Sequence, residues 1–190
     1  TQMLASMVDR PEPTRAEVSD VATAVIVGTD AVMLSEETAA GEYPLESIDI
    51  MKRIIIYTQN NAPLKPLFFK EEDSSRQSSI SSAVITLAHQ VEAKAIVAET
   101  KSGTTARSIA AHRPSMPIIM VTSDNRVSQQ LAIVYGGKTF LRPDRKNVSE
   151  RLEDWLSKRK VFKEGDIIVS ASGRHPGKVG GTDTIKVRVI

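Results

Sequence analysis

A cluster of hydroxyl and carboxylate side chains directly follows a short apolar run in the first quarter of the chain. The apolar residues 31–34 predict a short buried strand, and Ser35, Glu37 and Thr38 come immediately after it. Barrel and open α/β folds carry out their chemistry at the carboxyl ends of their strands. We therefore expect these three side chains to lie at a catalytic edge.

A second candidate site lies at residues 99–107, between a predicted strand and a predicted helix. Gly103 allows the backbone to turn tightly, so the hydroxyls of Ser102, Thr104 and Thr105 are expected to face one point beside free backbone amides. This combination at a helix N-terminus suits an anion of phosphate size. The alternative is an ordinary helix start, in which Ser and Thr only cap the backbone amides.

A third candidate is the glycine-rich loop 173–181, which carries Arg174, His175 and Lys178. These side chains could close over an anion as a lid. A flexible hairpin loop without a ligand is the competing interpretation.

The elements that must position these residues follow from the hydrophobic pattern. Strands alternate with helices in the second half of the chain, which predicts a mostly parallel sheet covered by helices on both faces. The last two strands are joined by a loop without a helix, so we expect them to pair antiparallel. The predicted strands are residues 95–98, 118–121, 139–141, 166–171 and 184–189, and the predicted helices are residues 104–112, 126–134 and 148–159. A narrow helical stripe precedes the first strand and consists of Ile80, Val84, Leu87 and Val91.

The first part of the chain is predicted to contain two helices. Thr14 and Glu17 have the spacing of a capping box, and Gly28 is expected to end the helix that they start. The second helix runs from Pro44 to about Gln59. Its apolar residues occupy more than one face, which predicts packing between two layers.

Composition and charge restrict the class of protein. The 190 residues include no cysteine, so the sequence offers no disulfide or thiolate chemistry, and its histidines lack metal-ligand spacing. No apolar run approaches the roughly 20 residues of a membrane span, and no signal peptide is recognisable. We expect a cytoplasmic protein that binds neither membrane nor nucleic acid. The basic residues 138–190, with 13 Lys and Arg against seven Asp and Glu, favour an anionic partner.

Three motifs together resemble the pyruvate kinase family. They are Thr1-Gln-Met-Leu-Ala-Ser-Met7, Pro13-Thr-Arg-Ala-Glu-Val-Ser-Asp20 and Met33-Leu-Ser-Glu-Glu-Thr-Ala-Ala-Gly-Glu-Tyr-Pro44. The rest of the chain is similar to the C-terminal domain of that family, including Thr100–Thr105 and the ending that starts at Gly180.

The resemblance implies a fold class and a domain organisation. The fold would be α/β, with the last part of a (β/α)₈ barrel followed by a three-layer α/β/α domain. That domain would contain a mostly parallel five-stranded sheet whose last strand is antiparallel. Residues 1–60 would end the barrel, residues 61–79 would be a linker, and residues 80–190 would form the regulatory and assembly domain.

The resemblance also implies the activity, the cofactors and the assembly. Members transfer a phosphoryl group from phosphoenolpyruvate to ADP in glycolysis, which gives pyruvate and ATP. They use Mg²⁺ and usually K⁺, and many are homotetramers. The family's catalytic Lys and its ligands for metal and nucleotide would precede Thr1, so we expect the chain alone to be inactive.

Individual residues acquire roles from the resemblance. Thr1 matches a Thr that contacts the substrate, and Ser35 matches a Ser linked to proton delivery to the enolate; both are predicted catalytic residues. Arg15 matches an Arg near the active site and a subunit interface. An effector phosphate would be held by Thr100, Lys101, Ser102, Gly103, Thr104 and Thr105. A possible effector loop would contain Arg174, His175, Lys178 and Gly180.

Two departures from the family pattern leave questions open. Glu36 stands where many members have Gly, which puts the local loop geometry in doubt. Val148 falls about where regulated eukaryotic members place an Arg against a second phosphate. The effector could therefore be fructose 1,6-bisphosphate, a sugar monophosphate or a nucleotide. Two alternatives to an enzyme fragment also stay open, a non-catalytic module that binds a phospho-ligand and a pure oligomerisation domain.

Overall fold

The computed structural model describes residues 2–62, 75–173 and 179–190. The chain divides into two compact units, Thr1–Phe68 and Phe69–Ile190. No helix formed by the described residues is long and apolar enough to cross a membrane.

The first unit is helical throughout its described regular structure. Its elements are a 3₁₀ helix at Ala5–Val8, α1 at Arg15–Ile26, α2 at Glu36–Ala39 and α3 at Pro44–Asn61. The predicted capping box is confirmed at the start of α1. The Thr14 hydroxyl accepts from the Glu17 amide at 3.3 Å, and the Glu17 carboxylate accepts from the Thr14 amide at 2.7 Å. Gly28 follows the helix with φ +84°, which ends it as expected.

The strand predicted at residues 31–34 is wrong, because this segment has no regular structure. Met33 is 54% exposed, and only Val32 and Leu34 pack against the core of the unit. A strand needs a neighbour for its backbone hydrogen bonds, and no described residue of this unit belongs to a strand. An apolar run therefore adopts an irregular path that buries alternate side chains.

The core of the first unit is small. Its buried apolar side chains are Leu4, Met7, Val21 and Met51. Further apolar residues of α3 pack against this core, namely Ile50, Ile54 and Ile55. Leu45, Ile48 and Ile56 of the same helix are exposed, so the predicted packing of α3 between two layers stays a prediction.

The second unit is built on one five-stranded sheet. Its strands are β1 at Ala95–Glu99, β2 at Ile118–Thr122, β3 at Gly137–Leu141, β4 at Ile167–Gly173 and β5 at Thr182–Val189. Their order is β3-β2-β1-β4-β5. The pairs among the first four strands are parallel, and β4 pairs with β5 antiparallel. The predicted mostly parallel sheet with an antiparallel last strand is thus confirmed.

Helices cover both faces of the sheet. They are α4 at Arg76–Gln90, α5 at Thr104–Ala111, α6 at Asn125–Gln130 and α7 at Val148–Lys158, and a 3₁₀ turn at Leu131–Ile133 follows α6. Successive side chains of β1 point to opposite faces of the sheet and so belong to different cores. Ile96 packs with α4 and α5, whereas Val97 packs with α7. Three layers result, as predicted.

Helix α4 begins inside the segment predicted as a linker. The Ser75 hydroxyl caps it by accepting from the Ser78 amide at 3.2 Å, so residues 76–79 are helical rather than irregular. Residues 63–74 of the predicted linker lie outside the described part of the chain.

Trp155 of α7 is at the edge of the core rather than inside it. It is 37% exposed and meets Phe140 of β3 edge to face, with ring centroids 6.2 Å apart. The guanidinium groups of Arg159 and Arg142 lie 4.2 and 5.3 Å from its ring centroid. Cation–π contacts therefore hold a surface aromatic pair.

Candidate functional site

A cleft opens in the second unit where β1, β2 and β3 end. Its volume is about 100 Å³, room for a few water molecules at about 30 Å³ each. The loops after these strands line it together with the start of α5 and residues 179–182. The carboxyl edge of a parallel sheet is the usual place for ligands in such folds.

Gly103 shapes the side of the cleft formed by α5. It has φ +83°, a conformation that L side chains rarely adopt, and it immediately precedes the helix. A Cβ at this position would meet the Leu131 side chain at 3.3 Å. The Gly103 amide donates to the Thr100 hydroxyl at 3.0 Å, and no side chain caps α5. The first-turn amides of α5 thus lack an intrahelical acceptor at the cleft.

The hydroxyls of this segment do not all face one point, which corrects the sequence-based expectation. Ser102 and Thr104 bring their hydroxyls together at 3.0 Å at the surface. The Thr105 hydroxyl is buried and bonds to the Thr182 hydroxyl of β5 at 2.7 Å. Two of the three hydroxyls therefore remain for a ligand, whereas the third ties α5 to β5.

Lys101 places its ammonium group across the mouth of the cleft. It donates to the Ser123 hydroxyl at 2.6 Å and to the Asp144 carboxylate at 2.8 Å. Hydrogen bonds from Lys101 and then from Ser123 hold the pKa of Asp144 below its usual value. The sequence does not reveal either partner of Lys101, because Ser123 and Asp144 lie in the loops after β2 and β3.

Glu99 contributes a second carboxylate to the cleft. Burial raises its pKa, a hydrogen bond from Ser149 opposes this, and the charge of Asp144 adds to the increase. The Ser149 hydroxyl of α7 donates to Glu99 at 2.9 Å. Two carboxylates and the two cations Lys101 and Arg142 therefore line the described cleft.

The predicted effector loop is described only in part. Arg174, His175 and Lys178 lie outside the described residues. Gly180 lines the cleft with φ +69°, and its carbonyl accepts from the Arg76 guanidinium at 3.0 Å. Arg76 thus joins the start of α4 to this loop.

In the first unit, Glu37 positions the predicted catalytic Ser35. The buried Glu37 carboxylate accepts from the Ser35 amide at 2.8 Å and from the Leu4 amide at 3.0 Å. Burial acts to raise the pKa of Glu37, but backbone amides including those of Ser35 and Leu4 hold it below its usual value. The carboxylate is therefore a structural tie that fixes the backbone of Ser35.

The Ser35 side chain is available for chemistry. It is half-buried, and its hydroxyl makes no hydrogen bond to the described residues. Its backbone precedes α2 with φ −118° and ψ −100°. Arg15 is the first residue of α1 and is exposed. Thr1, the other predicted catalytic residue, lies outside the described part of the chain.

Gly41 allows the segment that carries Ser35 to pack closely against the 3₁₀ helix at Ala5–Val8. A Cβ at Gly41 would lie 2.9 Å from the Glu37 carbonyl oxygen and 3.1 Å from the Cα of Val8. The Glu42 amide also donates to the Val8 carbonyl at 2.7 Å. This close approach requires glycine at position 41.

Within the described residues, no group of three or more His, Asp or Glu side chains could hold a metal ion.

Models of two protein families match the chain in consecutive segments. One, described as the pyruvate kinase barrel domain, matches residues 1–48. The other, described as the pyruvate kinase alpha/beta domain, matches residues 78–188.

Curated relatives and solved structures agree with these matches. The chain is 42% identical to pyruvate kinase 2 of Synechocystis and 41% identical to pyruvate kinase of Geobacillus stearothermophilus. Each alignment covers 100% of the chain, and 32% and 33% of the respective relative, so the chain spans about a third of their length. A solved pyruvate kinase from Cryptosporidium parvum superposes with a TM-score of 0.86 at 30% identity, over 100% of this chain and 39% of that one.

Proposed function

Because this chain belongs to the pyruvate kinase family, we propose that it is part of an enzyme that transfers a phosphoryl group from phosphoenolpyruvate to ADP. The observation that carries this proposal is the match of both family models in their expected order along one chain. The glycolytic role, the cytoplasmic location and assembly as a homotetramer belong to the same proposal.

The first unit would contribute Ser35 to the reaction. Its hydroxyl is free of partners among the described residues, and Glu37 fixes its backbone from behind. A hydroxyl held in this way can pass a proton through ordered water to the enolate. Thr1 would contact the substrate. Mg²⁺ and K⁺ would be held by residues outside this sequence, as the resemblance to the family implies.

A Ser35→Ala substitution in the full-length protein that contains this chain tests the catalytic role. We expect kcat to fall by about 100-fold, the low end for loss of a proton-transfer group. Coupled turnover of phosphoenolpyruvate and ADP measures it. The control is Ser19→Ala, an exposed serine on α1. Unchanged kcat in the Ser35 variant would reject this role, and the 190-residue chain alone should show no turnover.

The second unit would bind the phosphate of an effector at Thr100–Thr105. The uncapped start of α5, the Ser102 and Thr104 hydroxyls and the Lys101 ammonium face the same cleft. Backbone amides at a helix N-terminus and a nearby cation are a common phosphate site. Val148, nearly buried at the cleft, offers no charge for a second phosphate.

Titration calorimetry of the 190-residue chain tests this site. We expect inorganic phosphate and fructose 1,6-bisphosphate to bind, and Lys101→Gln to weaken both. The control is Lys94→Gln, because Lys94 is exposed just before β1 and so at the opposite edge of the sheet. No binding at millimolar ligand would leave assembly as the role of this unit.

A further inference from the structure

The cation of the proposed phosphate site already has an anionic partner within the chain. Lys101 follows β1, and Asp144 lies in the loop between β3 and α7, yet the ammonium and the carboxylate are 2.8 Å apart. Ser123, in the loop after β2, accepts from the same ammonium. Lys101 therefore joins the loops after three adjacent strands, and its positive charge is neutralised at the mouth of the cleft.

We infer that Asp144 is an internal competitor for the anion site, so that a ligand phosphate must displace the Asp144 carboxylate from Lys101 to bind. This inference rests on the proposed phosphate site at Thr100–Thr105. A phosphate next to the start of α5 would seek the same ammonium, and it would face Asp144 at short range as a like charge.

The loop that carries Asp144 is anchored on both sides of that residue. The Arg142 amide donates to the Thr122 carbonyl of β2 at 2.8 Å. Asn147 adopts φ +59°, and its carbonyl accepts from the Arg151 amide at 3.1 Å at the start of α7. The carboxylate is thus presented to Lys101 by a loop whose two ends are held by backbone hydrogen bonds.

The other cation at the cleft does not offer Asp144 an equivalent partner. The Arg142 guanidinium donates to the Leu141 carbonyl at 3.0 Å and lies over the rings of Trp155 and Phe140. When an anion takes Lys101, Asp144 loses its ion pair and keeps the Ser123 hydroxyl as its partner among the described residues. Binding of the ligand is therefore coupled to release of the Asp144 carboxylate from Lys101.

The first test compares binding of inorganic phosphate to the 190-residue chain and to its Asp144→Asn variant by titration calorimetry. We expect about three- to five-fold tighter binding in the variant, the range of an exposed ion pair, and a smaller ratio at high salt. The matched control is Asp124→Asn. It changes the net charge equally in the loop after β2, and Asn also caps α6 well in place of the Asp124 carboxylate.

A double-mutant cycle separates competition from a general change in charge. Lys101→Gln should remove most of the advantage of Asp144→Asn, because only the direct repulsion between Asp144 and the phosphate is left when the ammonium is absent. An equal gain in Asp124→Asn and Asp144→Asn, or an undiminished gain in the Lys101→Gln background, would overturn the inference.

The third measurement follows Asp144 itself by carbon-13 NMR of its carboxyl group. Without ligand the pKa of Asp144 should lie below its usual value, and saturating phosphate should bring it back up, because Lys101 has left. An unchanged pKa in the phosphate-bound chain, or weaker binding by Asp144→Asn, would overturn the inference while leaving the phosphate site intact. Absence of binding in both the chain and the variant would overturn the phosphate site and the inference together.

Discussion

The two units of this chain bury their apolar side chains to very different degrees. In the second unit, consecutive residues of β1 and β2 are buried on opposite faces of the sheet, in two separate cores. In the first unit, the described core contains only Leu4, Met7, Val21 and Met51, while Leu45 is 76% and Tyr57 70% exposed. Apolar surface of this extent is a feature of contact surfaces. A sheet covered by helices on both faces is stabilised by its two apolar cores. Helices around a small core need further stabilising interactions, such as hydrogen bonds.

In the first unit, hydrogen bonds from backbone amides to two carboxylates provide this stabilisation. Glu17 accepts from the backbone amides of Ser6 and Thr14, each at 2.7 Å, and Glu37 does the same for Leu4 and Ser35. Partial burial acts to raise the pKa of Glu17, but hydrogen bonds from Ser6 and Thr14 lower it to about 2. Two carboxyls of the second unit, the half-buried Glu99 and the buried Glu153, behave in the opposite way, since burial raises their pKa values.

The largest expected effect is a cavity in the core of the second unit. Ile109→Ala removes a fully buried side chain of α5, and we expect a loss of about 3 kcal/mol in the free energy of unfolding. Urea denaturation followed by the fluorescence of Trp155, the one tryptophan of the chain, reports on this unit. The control is Ile133→Ala, because that side chain is 75% exposed. Equal shifts for the two variants would contradict the description of this core.

A smaller effect is expected for Glu37→Gln in the first unit. The amide side chain offers one acceptor where the carboxylate offers two, so either the Leu4 or the Ser35 amide loses its partner. The expected cost is about 2 kcal/mol, because a buried donor is left unsatisfied. Hydrogen exchange should become faster at these two amides. The exposed neighbour Glu36 supplies the control Glu36→Gln, and equal exchange in both variants would argue against this tie.

The smallest effect expected is a difference between the two units in how their stability changes at acid pH. Glu17 and Glu37 have lowered pKa values in the folded chain, so their stabilisation is complete above about pH 4.5 and is lost as the pH falls below it. For Glu99 and Glu153 the pKa is raised, so protonation as the pH falls towards about 4.5 favours the folded state. Asp144 has a lowered pKa, so its protonation destabilises the second unit as the pH falls. This effect is small because the ion pair of Asp144 is exposed.

Hydrogen exchange around pH 3 should therefore show protection lost first in α1 and at Ser35, while Trp155 fluorescence stays native. Glu17→Gln should reduce the pH dependence of the first unit, and Glu12→Gln, at an exposed position, should not. Loss of Trp155 fluorescence before loss of protection in α1 would reverse the comparison.

The sequence was a good guide where a pattern is repeated locally. Buried apolar runs such as β1 alternate with helical patterns, and this alternation predicts a mostly parallel sheet covered by helices on both faces. The same rule misled at residues 31–34, because an apolar run becomes a strand only when another strand lies beside it. That neighbour is a long-range property, which four residues cannot reveal.

The candidate site shows the same limit at the level of side chains. The spacing of Ser102, Thr104 and Thr105 correctly indicated a helix start after Gly103. It could not show that the Thr105 hydroxyl faces Thr182 across 77 positions of sequence. Nor could it show that Lys101 meets Asp144, which is 43 positions away. Such partners become visible only when the sheet brings the loops together.

The buried pair of Thr105 and Thr182 also has an evolutionary consequence. Either hydroxyl can be the donor, so replacing one residue by Val would leave the other without a partner at about 1–3 kcal/mol, whereas replacing both would be nearly neutral. This pair of threonines can therefore be replaced during evolution without a loss of stability only if both positions change in close succession. Among descendants of this sequence, residues 105 and 182 should vary as a correlated pair.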